Sequence, residues 1–271
     1  MTFPRQSHPC LVSHLQVAGV CLMLLVSAGY DQSEACTLRP DHAGLTFPVE
    51  RVDPVWTCRL QAIIQNHTTE STLGPMRTAL SESLYRYLLD APPFAAALIR
   101  RLRLGLYQSD ARGPGRFWGD DGEGTKGMVE LVYEDPVNRI YFLEGTHESR
   151  ILPHVTGKAV VFLRMDVVRE PGSLEAMDST LVAYIKLDNR VLSGLVSLLH
   201  PLVTKVVTSR LQKGVATVDR LGLVMTRDPQ RVWSEVEKPP PLLDHHVAFL
   251  KQSLNSQLSP DNVSPHGRSM P

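Results

Sequence analysis

Glu144, His147 and Glu148 set two carboxylates beside an imidazole, the group types that proton transfer or a divalent cation requires. Their spacing matches no helix-borne zinc pair, and the segment carrying His147 and His154 reads as a loop, so no metal site is expected. The run Gly119-Asp120-Asp121-Gly122-Glu123-Gly124-Thr125-Lys126 has the glycine spacing of a phosphate loop. It ends Thr-Lys instead of Lys-Ser/Thr, however, and carries three acids where phosphates would sit. It also lacks the alternating acids and closing carboxylate of a calcium loop. Gly113 to Gly127 is therefore expected to be a glycine-rich hairpin connection. No serine or cysteine lies in a nucleophile elbow, so nucleophilic catalysis has no positive sign. His200 falls at the margin of an apolar stripe, His245-His246 lies in the tail, and no cofactor is implied.

The cysteines are Cys10, Cys21, Cys36 and Cys58, the first two in a segment expected to be removed. In an oxidising compartment Cys36 and Cys58 can close a disulfide contributing ~3 kcal/mol on the chain-entropy account. The alternative is two free thiols.

The elements that must position such groups can be read from composition and periodicity. The chain has 271 residues, 43% hydrophobic and 21% charged, ordinary values for a globular protein with one domain. Its 28 basic and 28 acidic residues cancel, leaving no long-range field for nucleic acid, which is not expected as a partner. Residues 1–28 read as a secretory signal: Arg5 and His8, an apolar run from Val17 to Val26, and the small-residue exit Val26-Ser27-Ala28. The chain is thus expected to be exported, periplasmic or secreted. An uncleaved anchor is the alternative, and it is the only expected membrane contact.

After a lead-in over 29–54, Trp56, Cys58, Leu60, Ala62 and Ile64 alternate with Thr57, Arg59, Gln61 and Ile63 and predict a first strand over 55–64. Asn66-His67-Thr68 reads as a turn and as an N-glycosylation acceptor triplet. Pro75 to Leu89 and Phe94 to Leu106 predict two helices broken by Asp90-Ala91-Pro92-Pro93, with Arg100, Arg101 and Arg103 as a solvated face. Three strand signals follow: Val129 to Tyr133, Arg139 to Glu144, and Ala159 to Val167. Their short connections predict an antiparallel meander, which a strand over Thr180 to Asp188 completes. A long helix starts at Asp188 or Asn189, with Leu192, Leu195, Leu199, Leu202, Val203 and Val206 on one stripe and a kink expected at Pro201. Beyond Val207 the stripe moves to Leu211, Val215 and Val218, so the second half should touch something else. Residues 226–271 read as a proline-rich, mostly disordered tail with a short amphipathic helix.

This order of strand, two short helices, meander and long C-terminal helix, with the joint Tyr184-Ile185-Lys186-Leu187-Asp188-Asn189, resembles the helix-grip fold of the START/polyketide-cyclase-like (SRPBCC) superfamily across residues 55–225. The resemblance implies an α+β fold in which a curved antiparallel sheet wraps the long helix. Between them the family often leaves an apolar cavity for a hydrophobic small molecule or lipid. The inward residues would be Tyr133, Val161, Leu163, Met165, Leu181, Ala183 and Ile185 from the sheet, with Leu195, Leu199 and Val203 from the helix. Three outcomes are left open: a carrier, an enzyme of the same fold with Glu144, His147 or Tyr133 as acid/base at the pocket mouth, or a partner-binding protein with a solid core.

Overall fold

Asp53 and Pro54 decide how the chain enters the fold. In the computed structural model the Asp53 carboxylate accepts from the Val55 amide at 2.8 Å, and Pro54 takes the first helical position, where its missing amide is no loss. Helix α1, Pro54–Ile64, stands where alternation predicts a strand. Trp56, Leu60 and Ile63 also fit helical spacing, and they turn one face onto the sheet. Ahead of α1, the short pair β1 (Asp41–His42) and β2 (Leu45–Thr46) and a 3₁₀ turn (Val49–Arg51) bring Phe47, Val49 and Val52 to the same surface. The residues described are 36–148, 154–169, 175–188 and 196–258, with the side chains of 196–203 and 256–258 excluded. Met1–Cys36 separates from Thr37–Pro271, and the fold described is that of the latter.

The sheet's own first strand is β3, Thr69–Thr78, in a region where Pro75 suggests a helix start. Pro75 has no amide to give a ladder, and it sits where the register shifts between Leu73 and Met76. Two helices follow: α2, Glu82–Asp90, capped by Ser81, and α3, Pro92–Arg101. Strands β4 (Gln108–Gly113), β5 (Arg116–Asp120), β6 (Thr125–Glu134), β7 (Asn138–His147), β8 (Val155–Val168) and β9 (Ala176–Leu187) complete an antiparallel sheet. Its order is β3-β9-β8-β7-β6-β5-β4, seven strands in which all but β3 pair as sequence neighbours. The glycine-rich stretch resolves into two tight turns around β5, with Gly115, Gly122 and Gly124 at positive φ.

Helix α4 runs from Val196 to Arg227, and the expected start at Asn189 and Leu192 lies outside the described residues. It approaches β3 closely: Ser71 and Thr208 hydroxyls are 3.0 Å apart, and a Cβ on Gly222 would lie 2.9 Å from Thr78 Cγ2. The expected tail begins with two packed helices: α5 (Pro229–Val236), which stands where disorder is expected, and α6 (Asp244–Leu258), where the short amphipathic helix is expected. Val232, Val236, Leu250 and Leu254 are buried with α2, α3 and the far half of α4. Arg101, read from sequence as part of a solvated face, donates to the carbonyls of Glu235, Val236 and Lys238 at 2.8 to 2.9 Å and so caps the end of α5. Tyr87 stacks on Phe249 with ring centroids 3.7 Å apart and bonds His246 Nδ1 at 2.7 Å, fixing α6 to α2. Among the described residues no helix is long and apolar enough to cross a membrane.

Candidate functional site

Register assigns every strand residue to one of two faces, because antiparallel partners share a side. One face carries Ile140, Phe142, Val160, Phe162, Val182 and Tyr184 and is covered by Phe47, Val49, Val52, Leu60 and Ile63 of the N-terminal segment. It is packed tight: Ile140, Val160, Phe162 and Val182 are each 0% exposed. His42 is buried here too, stacked on Phe162 at 4.0 Å with its Nδ1 3.1 Å from the Tyr184 hydroxyl. Burial holds its pKa below the ordinary value, against opposing contributions from Arg39, Glu70 and Asp41. Burial and the Glu70 carboxylate push the Tyr184 phenol up to about 12.

The opposite face looks toward α2, α3 and α4. At one end Leu163, Met165 and Met177 pack with Leu80, Leu84, Leu98, Leu221 and Met225 in a dry core. At the other end Val155 and Leu187 meet Ile185 and Val207 of α4. Between these ends lie Phe117, Val129, Leu131, Leu143 and Ala159, brought side by side by the pairs Phe117↔Val129, Val129↔Leu143 and Leu143↔Ala159. All five are only partly buried, and none belongs to a hydrophobic cluster formed among the described residues. The strip thus lies in the middle of a sheet face, and among the described residues no buried apolar cluster covers it.

Beside this strip runs a crease of glycines, Gly119↔Gly127↔Gly145↔Gly157, across four strands. A Cβ on Gly127 would lie 2.4 Å from the Glu144 carbonyl, and one on Gly145 2.6 Å from the Lys126 carbonyl. Neither position tolerates a side chain, because the backbone of the neighbouring strand approaches that closely. Beyond the crease the β5–β6 turn is tied to α4. Glu123 pairs with Arg210 and Lys213, Arg210 Nη2 donates to the Glu123 carbonyl at 3.2 Å, and Asp121 lies 3.8 Å from Arg210. Two of the three acids that argue against a phosphate loop, Asp121 and Glu123, serve here as a latch onto the helix. Such half-exposed pairs contribute at most ~1 kcal/mol each.

A polar group closes the packed end of the same face. Arg139, 4% exposed, donates through Nη2 to Asp90 at 2.5 Å and lies 3.4 Å from Glu134. Its Nη1 donates to the Tyr141 hydroxyl at 3.5 Å, and its Nε is buried with no partner. Tyr85, buried nearby, hydrogen-bonds Ser179. Burial opposes the charge of Arg139, but Tyr141 and Asp90 outweigh it and hold the guanidinium pKa above its usual value. Burial also raises the Tyr141 phenol, with Arg139 pulling the other way. On α4, Thr204 Oγ1 is another buried polar atom without a partner among the described residues.

Of the residues expected inward, Val161, Leu163, Met165, Leu181, Ala183 and Ile185 do share the α4 face. Leu163 and Met165 are spent in the dry core, however, and Leu181 packs against it. Tyr133 is on the wrong side: the shift between Leu131 and Tyr133 pairs it with Ile140, so it joins the N-terminal face and donates to Asp135 at 3.0 Å. Leu195 lies outside the described residues; Leu199 and Val203 belong to α4, but their side chains are not described. Glu144 and His147 do not meet. Glu144 sits on the N-terminal side of the sheet, 3.5 Å from Lys158, while His147 has the parity of the α4 face and bonds Thr125 Oγ1 at 2.9 Å. No metal-binding cluster occurs among the described residues. Cys36 and Cys58 are disulfide-bonded. Sequence reasoning overlooks Arg139, Tyr141 and Leu143, although they alternate within a recognised strand; only the register shows that they face α4.

No protein-family profile and no curated protein sequence matches the chain. Solved structures similar to it include a conserved protein from Geobacillus kaustophilus, with TM-score 0.37 and 10% identity over 57% of this chain and 95% of that one. An uncharacterized protein from Rhizobium leguminosarum aligns with TM-score 0.34 and 16% identity over 57% of this chain and 93% of that one. A protein from Thermus thermophilus aligns with TM-score 0.35 and 16% identity over 58% of this chain and 97% of that one.

Proposed function

We propose that this chain is an exported helix-grip protein that holds a hydrophobic small molecule or lipid between its sheet and α4, without chemistry. The single observation that carries the reading is the strip Phe117, Val129, Leu131, Leu143 and Ala159, an apolar surface inside the fold that no described apolar cluster covers. The strand order, the glycine crease and the lie of α4 along β3 support a sheet bent around that helix. The disulfide-bonded Cys36 and Cys58 support an oxidising compartment. The separation of Glu144 from His147 and the removal of Tyr133 to the other face weigh against the acid/base alternative.

Native mass spectrometry of protein purified from its own host, followed by organic extraction, tests the reading. The expected result is a noncovalent mass increment that extraction removes and that fractionates as an apolar compound. Ligand-free protein in repeated preparations would overturn it.

A further inference from the structure

We infer that Arg139 and Tyr141 form the recognition point for the polar end of the guest, and that this end is an uncharged oxygen acceptor, a ketone, ester or ether oxygen, on an otherwise apolar body. The inference rests on the apolar-ligand reading above and adds the chemistry of the ligand's head.

Tyr141 and Leu143 are alternate residues of one strand and share its α4 face, so the phenol stands beside the apolar strip; Leu131 pairs directly with Tyr141. Arg139, whose Nη1 contacts that phenol, is almost wholly buried, and among the described residues its Nε–H has no acceptor. A buried donor left unmade is costly, and a site that keeps one is suited to a ligand that supplies the acceptor. The Tyr141 oxygen already accepts from Arg139 Nη1, which leaves its own proton to donate outward. A phenol O–H thus stands between the apolar strip and the buried core, with a sealed, unmade guanidinium N–H on the neighbouring Arg139.

Charge selects among acceptors. Asp90 and Glu134 both contact Arg139, so one positive group already faces two negative ones. A carboxylate or phosphate would bring a further negative charge into that balance, whereas a neutral carbonyl takes the same hydrogen bonds without it. An ammonium head has no acceptor to offer.

The test uses the full chain and the uncharged fluorescent reporter N-phenyl-1-naphthylamine, displaced in turn by 2-dodecanone, dodecanoate, dodecylamine and n-dodecane. The inference expects 2-dodecanone to displace the reporter about tenfold more tightly than the other three. Tyr141→Phe, which deletes one hydroxyl, should erase the ketone's advantage over n-dodecane while leaving n-dodecane itself unchanged. A purely structural role for the hydroxyl would weaken all four probes alike. Arg139→Met should act in the same direction as Tyr141→Phe, and Tyr141→Phe alone decides the matter if Arg139→Met fails to fold. Equal displacement by all four probes, or a ketone advantage that survives Tyr141→Phe, overturns the head-group assignment while sparing the apolar-ligand reading. Failure of the reporter to bind at all overturns both.

Discussion

The two faces of the central sheet carry the same kind of residue and are finished differently. On the N-terminal face Ile140, Val160, Phe162 and Val182 are closed off by Phe47, Val49, Val52, Leu60 and Ile63. On the α4 face the neighbouring residues of the same strands, Leu143 and Ala159, together with Phe117, Val129 and Leu131, keep part of their surface open between two packed ends. A strand that is apolar on both sides is the pattern of a sheet covered twice. Here one cover is a fitted lid of chain, and the other is a helix whose described contacts lie at two packed ends. Apolar character alone therefore does not distinguish a filled face from a partly open one; the cover across from it does.

That contrast can be broken most sharply at Phe162. Phe162→Ala should lower unfolding free energy by ~3–5 kcal/mol in a denaturant titration, the usual result of emptying a filled core position. Leaving stability almost unchanged would mean the N-terminal cover is not a packed core.

The next effect is on pH. His42 has its pKa below 6.5 in the folded chain because burial disfavours its charge, so the unfolded chain binds the proton more readily. The stability contributed by its neutral form is present above 6.5 and is lost as pH falls through 6.5 toward the folded value. His246, stacked on Phe94, is shifted the same way by burial and by His245. Thermal melts should therefore show a midpoint falling by several degrees, about the shift that 1 kcal/mol brings, as the buffer is taken below that range. His42→Phe should flatten the slope, and an unchanged slope would show that the ring is not what links the cover to pH.

The smallest stability effect belongs to the open strip. Leu143→Ala should cost less than ~1 kcal/mol, since part of its surface is wet before the change. A loss comparable to that of Phe162→Ala would mean that the strip is filled and the two faces are alike.

How much of this is legible in the sequence follows from what sets each element. The strands β6 to β9 and the helix α4 are readable because alternation and a 3.6-residue stripe are local signals with long runs. Helix α1 reads wrongly as a strand because Trp56, Leu60 and Ile64 satisfy both periods, and the deciding Asp53-Pro54 cap lies just outside the run. Strand β3 is hidden by Pro75, which a register shift accommodates. Tyr133 moves to the other face through a single-residue bulge, an event that inverts every downstream orientation and leaves no mark in composition. In the segment after Arg227 the amphipathic helix α6 is legible, but the prolines and polar residues mask α5 and the packing of both, whose few apolar positions find α2 and α3 only in three dimensions. Arg139 is invisible as a site residue for a similar reason: its partners Asp90 and Glu134 come from a different helix and a different strand.

The central claim, that the space under α4 admits a guest, is tested most directly by titrating N-phenyl-1-naphthylamine into the full chain and into Ala159→Trp, whose indole should occupy that space. Saturable, blue-shifted fluorescence with the natural chain, abolished in a variant that keeps the same far-ultraviolet circular dichroism, is the result predicted. No saturable binding by the natural chain, or binding that the tryptophan leaves untouched, would contradict it.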